Sequence, residues 1–253
     1  VIPMRAGDIP DLLLTTPVNS PAYPLPPYRF TDREYLTITY RTEPDALRRV
    51  VPEPLAVPEP LVRFEVIRMP DVTGLGSYSE SGQLVPVELD GEQGEFSLAM
   101  YVDSAPAIAS GRELSAYPKK AGSPRLYVDG DTLVGTLDHG SLRVATATMG
   151  YKHRPLDPAR ARAELAAPTY LLGIDRGYDG APLRCELLRT RITDLTVKGA
   201  WSGPARLQLF EHALAPLADL PVREVVRATH VLADLTLAPA EPVHDYLKKV
   251  PSA

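Results

Sequence analysis

Gln83-Leu84-Val85-Pro86-Val87-Glu88-Leu89-Asp90-Gly91-Glu92-Gln93-Gly94-Glu95-Phe96-Ser97-Leu98-Ala99-Met100-Tyr101-Val102 reads as a hairpin, with strands over 83–89 and 95–102. Asp90-Gly91 supplies the positive φ angles that a tight turn between antiparallel strands needs. The same punctuation returns at Asp129-Gly130, His139-Gly140 and Asp179-Gly180, between strand-like runs Thr132–Leu137, Leu142–Met149 and Ile192–Val197. Upstream, Leu61–Arg68 alternates, with Val62, Phe64 and Val66 on one face and Arg63, Glu65 and Ile67 on the other. Arg33–Thr42 does the same, setting Tyr35, Thr37, Thr39 and Arg41 against Leu36, Ile38 and Tyr40. Strands repeated at this spacing predict a mainly β chain whose antiparallel sheet closes on itself as a barrel.

Helical patterns are minor. Glu43–Val51 has a proline in its first turn and Pro52 at its end, and further short helices are expected at Asp157–Ala167, Leu209–Ala215 and Val243–Lys249. The first 30 residues hold Pro3, Pro10, Pro17, Pro21, Pro24, Pro26 and Pro27, too many for a helix interior or a central strand. They read as an extended arm whose Leu12-Leu13-Leu14 and Tyr23 pack on its own barrel or on a neighbouring subunit. No repeat, low-complexity tract or linker divides the chain, so one domain over 1–253 is expected.

The 253 residues are 44% hydrophobic and 23% charged, enough apolar surface for a core without staples. Cys185 is the one cysteine, so no intrachain disulfide forms. With no apolar leader-like segment and no run of 18 apolar residues, the expectation is a cytoplasmic protein outside the membrane. A net charge of -5 without a basic cluster argues against a nucleic-acid partner.

Several chemistries drop out on spacing. His139, His153, His212, His230 and His244 lack the i, i+4 pairing of a zinc hydrolase, and Cys185 has no thiolate partner, so no metal is expected. There is no nucleophile elbow and no Walker loop, and Gly74-Leu75-Gly76 lacks the third glycine and the setting of a dinucleotide fold. His153 reads as a core or strand-end residue. What remains is Gly111-Arg112-Glu113-Leu114-Ser115-Ala116-Tyr117-Pro118-Lys119-Lys120, where two lysines adjoin behind an aromatic and a proline. An ordinary lysine, with a pKa of about 10.4, is a cation at neutral pH and cannot attack a carbonyl. A nucleophilic lysine needs its charged form destabilised, by burial or by a second cation. Without further information such a pair is more often a solvated turn.

The run Gly111–Lys120 resembles the signature of acetoacetate decarboxylases. So do Asp32–Tyr35, Val51–Leu55, Leu61–Glu65, Gly74–Gln83, Asp131–Leu137, Ala145–His153 and Gly203–Phe210, which together span nearly the whole chain. The resemblance implies a closed, cone-like antiparallel β-barrel with small peripheral helices, assembled into a large homo-oligomer. It implies a lyase that turns acetoacetate into acetone and CO2 through an imine and an enamine on a lysine, with no cofactor. Lys119 is then the Schiff-base nucleophile and Lys120 its structural neighbour, since consecutive side chains of an extended segment point to opposite faces. Desolvation in a mainly apolar cavity, rather than repulsion by Lys120, is the expected means of freeing the amine.

The resemblance also brings in Arg33, Glu65 and Glu80. Arg33 is expected to position the substrate carboxylate, Glu80 in the glycine-flanked turn Gly76–Gly82 to transfer protons, and Glu65 to orient or neutralise Arg33. Tyr117 is expected to wall the pocket. Two alternatives stand beside this: a Schiff-base aldolase-dehydratase acting on pyruvate and an aldehyde, and a non-catalytic barrel that binds small keto acids.

Overall fold

A computed structural model describes residues 5–12 and 14–248. After a 3-10 turn at Ala6–Asp8 and the one-turn helix α1 (Ile9–Leu12) come strand β1 (Arg29–Arg41) and helix α2 (Pro44–Arg48). Three long strands follow: β2 (Leu61–Val72), β3 (Gly76–Leu89) and β4 (Glu92–Val102). Helix α3 (Ala105–Ser115) leads into β5 (Lys119–Ala121), β6 (Ser123–Asp129), β7 (Thr132–His139), β8 (Leu142–Gly150) and β9 (Arg154–Pro155). Helix α4 (Pro158–Leu165) precedes β10 (Thr169–Arg176), β11 (Pro182–Thr190), β12 (Ile192–Ser202) and β13 (Ala205–Leu209). A 3-10 turn at Leu217–Asp219, β14 (Glu224–Leu237) and β15 (Glu241–Asp245) complete the order.

The fold is mainly β with small helices, as expected, but the expected closed antiparallel barrel is corrected. The larger sheet runs β15-β11-β10-β4-β3-β2-β1-β14-β12-β9, with β5 also on β4, and among the described residues its ends do not pair with each other. It is mixed: β10 meets β4 in parallel at Glu95–Phe96, and β5 meets it in parallel at Met100–Val102. The terminal strands are short and carry Pro155 and Pro242, which have no N–H to continue a ladder. A second, antiparallel sheet of four strands runs β13-β8-β7-β6.

Strand alternation explains how the two sheets meet. Leu36, Ile38 and Tyr40 of β1, Val62, Phe64 and Val66 of β2, and Val85 and Val87 of β3 are buried with Leu133, Leu137, Val144 and Ala145 of the smaller sheet. Burying each such side chain is worth about 1.5–3 kcal/mol, so this face fixes the register of the central strands. Gly135 permits the close approach, because a Cβ there would lie 2.8 Å from Val66 Cγ2. The opposite face of the same strands carries Arg33, Tyr35, Thr37, Arg63, Glu65 and Glu80, all buried. A shell containing Tyr28, Phe30, Tyr78, Val102 and Ala107 covers part of it.

Several local expectations change. Leu209–Ala215 is the end of β13 and an irregular loop, and Val243 lies in β15 followed by a turn, while Lys249 is outside the described residues. Short apolar runs do not distinguish helix from strand, and Pro216 and Pro242 restrict both segments. Gly76–Gly82 is not a turn but the start of β3; the turn lies just ahead, where Gly74 and Gly76 each have φ of +74°. The N-terminal arm is not wholly extended, since residues 6–12 form two helical turns. Of its apolar anchors, Leu13 is outside the described residues, Leu14 is exposed, and Tyr23 is buried against α3 with its hydroxyl donating to Glu113 at 2.5 Å. Asp157–Ala167 is helical over α4, capped by the Asp157 carboxylate, which accepts from the Ala159 N–H.

Candidate active site

Five neighbouring strands set one rung of residues side by side: Thr37, Glu65, Gly82, Met100 and Lys119. The next rung carries Tyr35, Ile67, Glu80 and Val102. Paired residues share a face, so the two rungs bring Lys119, Glu65 and Glu80 to one side of the sheet from segments far apart in sequence.

Helix α3 delivers Lys119. Ser104 caps its N-terminus by accepting from the Ala107 N–H, and Ala116 ends it in the left-handed region with φ of 59°. The chain then turns back, the Tyr117 N–H donating to Gly111 O and Arg112 to Lys119 O. Pro118 O accepts from the Met100 N–H, which starts the pairing of β5 on β4. Lys119 is 7% exposed and its stem crosses α3 at Gly111, where a Cβ would meet Lys119 Cδ at 2.7 Å. Lys120, next along the strand, turns the other way into solvent and donates to Leu214 O at 2.6 Å. The alternation that separates the two lysines is that of any extended segment.

Lys119 Nζ donates to Glu80 Oε1 at 2.5 Å and stands 5.5 Å from the Tyr117 ring centre and 5.6 Å from that of Tyr78. The other Glu80 oxygen faces Arg33 at 3.9 Å, and the Arg33 guanidinium lies against the Phe30 and Tyr35 rings. Glu65 accepts from Thr37 at 3.1 Å and pairs with Arg63 at 3.7 Å, and Arg63 also contacts Glu95. Arg33 is thus paired with Glu80, while Glu65 is paired with Arg63 and reaches Arg33 only through its field. Sequence reasoning gave no role to Arg63 and Glu95. The alternation of β2 was the signal for the first, since Arg63 and Glu65 are two residues apart and share a face.

Three cations, Lys119, Arg33 and Arg63, meet three carboxylates, Glu80, Glu65 and Glu95, so the buried cluster is formally neutral. That balance matters, because an unpaired buried charge costs several kcal/mol. The expectation of a mainly apolar cavity is therefore corrected: the amine faces a carboxylate and two aromatic rings, in a neighbourhood of ion pairs. Burial pushes the phenols of Tyr35 and Tyr78 upward, and that of Tyr117 to about 12, so all three remain protonated donors at neutral pH. Burial also raises the Glu65 carboxyl, opposed by Arg63 and reinforced by Glu95. Desolvation works against the Arg33 charge, but the surrounding phenols and Glu80 more than offset it and raise the group.

A cavity of about 70 Å³ adjoins the cluster, walled by Arg33, Tyr35, Glu65, Ser97, Met100 and Tyr117 among others. Lys119 and Glu80 are not on its wall but behind Arg33 and Tyr117. Four polar atoms on side chains lining it are buried without a hydrogen-bond partner: Arg33 Nε, Tyr35 OH, Arg63 Nε and Ser97 Oγ.

A buried lysine amine thus stands against a carboxylate, beside a small polar cavity. The family model for acetoacetate decarboxylase (ADC) matches residues 15–247, and the chain belongs to that family. It is 69% identical over 244 residues to an acetoacetate decarboxylase of Streptomyces nogalater, covering 96% of this chain and 100% of the relative. To the acetoacetate decarboxylase of Clostridium acetobutylicum it is 60% identical over 235 residues, covering 93% and 96%. A solved acetoacetate decarboxylase structure superposes with a TM-score of 0.95 at 57% identity, covering 97% of this chain and 100% of that one.

Proposed function

We propose that the protein decarboxylates acetoacetate to acetone and CO2 through a Schiff base on Lys119. The observation that carries this reading is the contact of a buried Lys119 amine with Glu80, in a chain this similar to acetoacetate decarboxylases. Direct loss of CO2 from a β-keto acid leaves an enolate carbanion, which is the barrier. Glu80 takes a proton from the Lys119 ammonium, and the free amine adds to the ketone. Loss of water from the carbinolamine gives a protonated imine, which accepts the electron pair as the C–CO2 bond breaks. The resulting enamine is reprotonated at carbon, with Glu80 as the nearest acid once it has taken up from solvent the one proton that the overall reaction consumes, and hydrolysis returns acetone and the amine. The imine is the electron sink, so this route requires no cofactor.

Arg33 positions the substrate carboxylate. A bidentate grip would oppose its conversion to neutral CO2, and the pairing of Arg33 with Glu80 keeps the guanidinium partly engaged. Glu65 acts on Arg33 through its charge and holds Arg63, while Tyr117 walls the pocket between Lys119 and the cavity. Lys120 is a structural tether to Leu214. We read the chain as one domain and the protein as a cytoplasmic homo-oligomer. The exposed Ile174, Tyr178 and Leu183 on the β10–β11 hairpin support a subunit contact.

Borohydride reduction during turnover tests the assignment. The adduct should map to Lys119, Lys119→Ala should lose both labelling and turnover, and Lys120→Ala should keep the label. Label on Lys120, or full activity in Lys119→Ala, overturns it.

A further inference from the structure

The catalytic cluster is buried, and an ion pair stands between the cavity beside it and the hollow under α4. On one side lies the 70 Å³ cavity beside Arg33 and Tyr117; on the other lies a larger hollow of about 470 Å³ under α4, walled by Thr39, Pro58, Pro86, Arg160, Ala163 and Arg227. Arg63, Glu95, Glu164 and Ala167 belong to the walls of both. A partition of packed apolar side chains would be fixed in place, whereas one made of a guanidinium and carboxylates can exchange partners. Arg63 is 8% exposed, and its Nε has no acceptor although Glu65 and Glu95 occupy its terminal nitrogens. Ser97 Oγ, also buried without a partner, lines the inner cavity.

We propose that Arg63 is the gate and handover point of this site: the keto acid enters through the hollow under α4, takes Arg63 from Glu95, and passes on to Arg33. The proposal rests on the decarboxylase reading and adds its route. Every arginine on the way is already paired, Arg160 and Arg227 with Glu164 and Arg63 with Glu95 and Glu65, so an incoming carboxylate competes for partners rather than falling into a cationic trap. That balance suits an anion that must not be held. The substrate arrives charged and both products leave neutral, so once CO2 is lost nothing competes with Glu95 and the partition recloses. Arg63 on this account is a positioning residue that does not touch the reacting bond.

Two kinds of variant test the gate. Ala163→Trp, on the exposed side of α4, fills the outer hollow, and Ala167→Leu narrows the junction. Both should lower kcat/KM for acetoacetate about tenfold. Prolonged borohydride treatment with saturating acetone should still label Lys119 to completion, which shows an intact site behind an obstructed path. Unchanged kcat/KM in both variants overturns the route. Glu95→Gln weakens the competitor, so kcat/KM for acetoacetate should rise severalfold relative to the rate of labelling by acetone, which has no carboxylate to exchange with Glu95. A fall in kcat/KM, as a purely structural ion pair would give, overturns the exchange. Wild-type protein with neither turnover nor a Lys119 adduct overturns the decarboxylase reading itself, a result distinct from slow variants of an active enzyme.

Discussion

Gly111→Ala should separate activity from stability. A Cβ at this position would lie 2.7 Å from Lys119 Cδ, 2.9 Å from Cε and 3.2 Å from Nζ. Ordinary contact begins near 3.4 Å, so the lysine stem must move by about 0.7 Å or more. For the fold the change is nearly balanced. Replacing a helix-interior glycine gains about 0.5–1 kcal/mol, and overpacking costs about 1–3 kcal/mol where nothing can yield, but here the obstacle is a flexible side chain. For the chemistry it is not balanced, because the displaced atoms carry the amine that must meet Glu80 and the ketone. A misplacement approaching 1 Å costs on the order of 10–100-fold. The expected result is a kcat lower by about that factor, slower borohydride labelling of Lys119, and a Tm within a few degrees of wild type. Steady-state kinetics with acetoacetate and calorimetric melting measure the two sides. A variant with wild-type kcat refutes the claim that Gly111 sets the position of the amine, and one that loses activity only by unfolding refutes the separation.

Glu65 should leave a signature in the pH dependence of stability. Its carboxyl is raised above the ordinary 4.5, so in that window the folded chain binds the proton more strongly than the unfolded one. Its contribution is full below pH 4.5 and is lost as pH rises through the folded value. Glu65→Gln does not titrate, so the stability of wild type relative to this variant should fall across that interval in denaturant melts; a constant or rising difference refutes the assignment. Gln83→Leu tests the opposite face of the same strands. The Gln83 amide donates to Tyr40 OH at 2.8 Å and Leu217 O at 3.0 Å, so its loss should cost about 1–3 kcal/mol of stability while kcat stays within about twofold. A large fall in kcat with unchanged melting would contradict that division of faces.

How much of this was legible in the chain follows from which interactions are local. Alternation along 33–42 and 61–68 gave the two faces of β1 and β2, Asp90-Gly91 gave the β3–β4 hairpin, and three further glycine turns marked where the chain reverses, because strand period and tight-turn chemistry are written in adjacent residues; β10 and β11, on either side of Asp179-Gly180, were not read. Helix α3 went unread, since its buried positions are Ala107, Ser110 and Gly111, too small to make an apolar stripe. The long strand β14 also went unread, although it joins β1 to β12 in the larger sheet. Arg33, Glu65 and Glu80 were reachable only through resemblance to a family, because a charge on a strand carries no mark of the face it will share. The pairing of Arg33 with Glu80, and of Glu65 with Arg63, depends on side-chain reach across strands and has no sequence signal. The open edges of the sheet likewise depend on where the last strands stop.

The three-residue strand β5 has a consequence for how the gene can change. Its two lysines occupy consecutive positions of a two-residue period, one facing Glu80 and the other the Leu214 carbonyl. Slipping such a strand by one residue exchanges the faces of all its side chains. Loss of a single codon between Ala116 and Lys119 would therefore draw Lys120 into the place opposite Glu80, where most proteins would receive an unrelated residue. The doubled lysine makes this strand tolerant, in its chemistry, of a frame-preserving deletion that would ordinarily erase an active site.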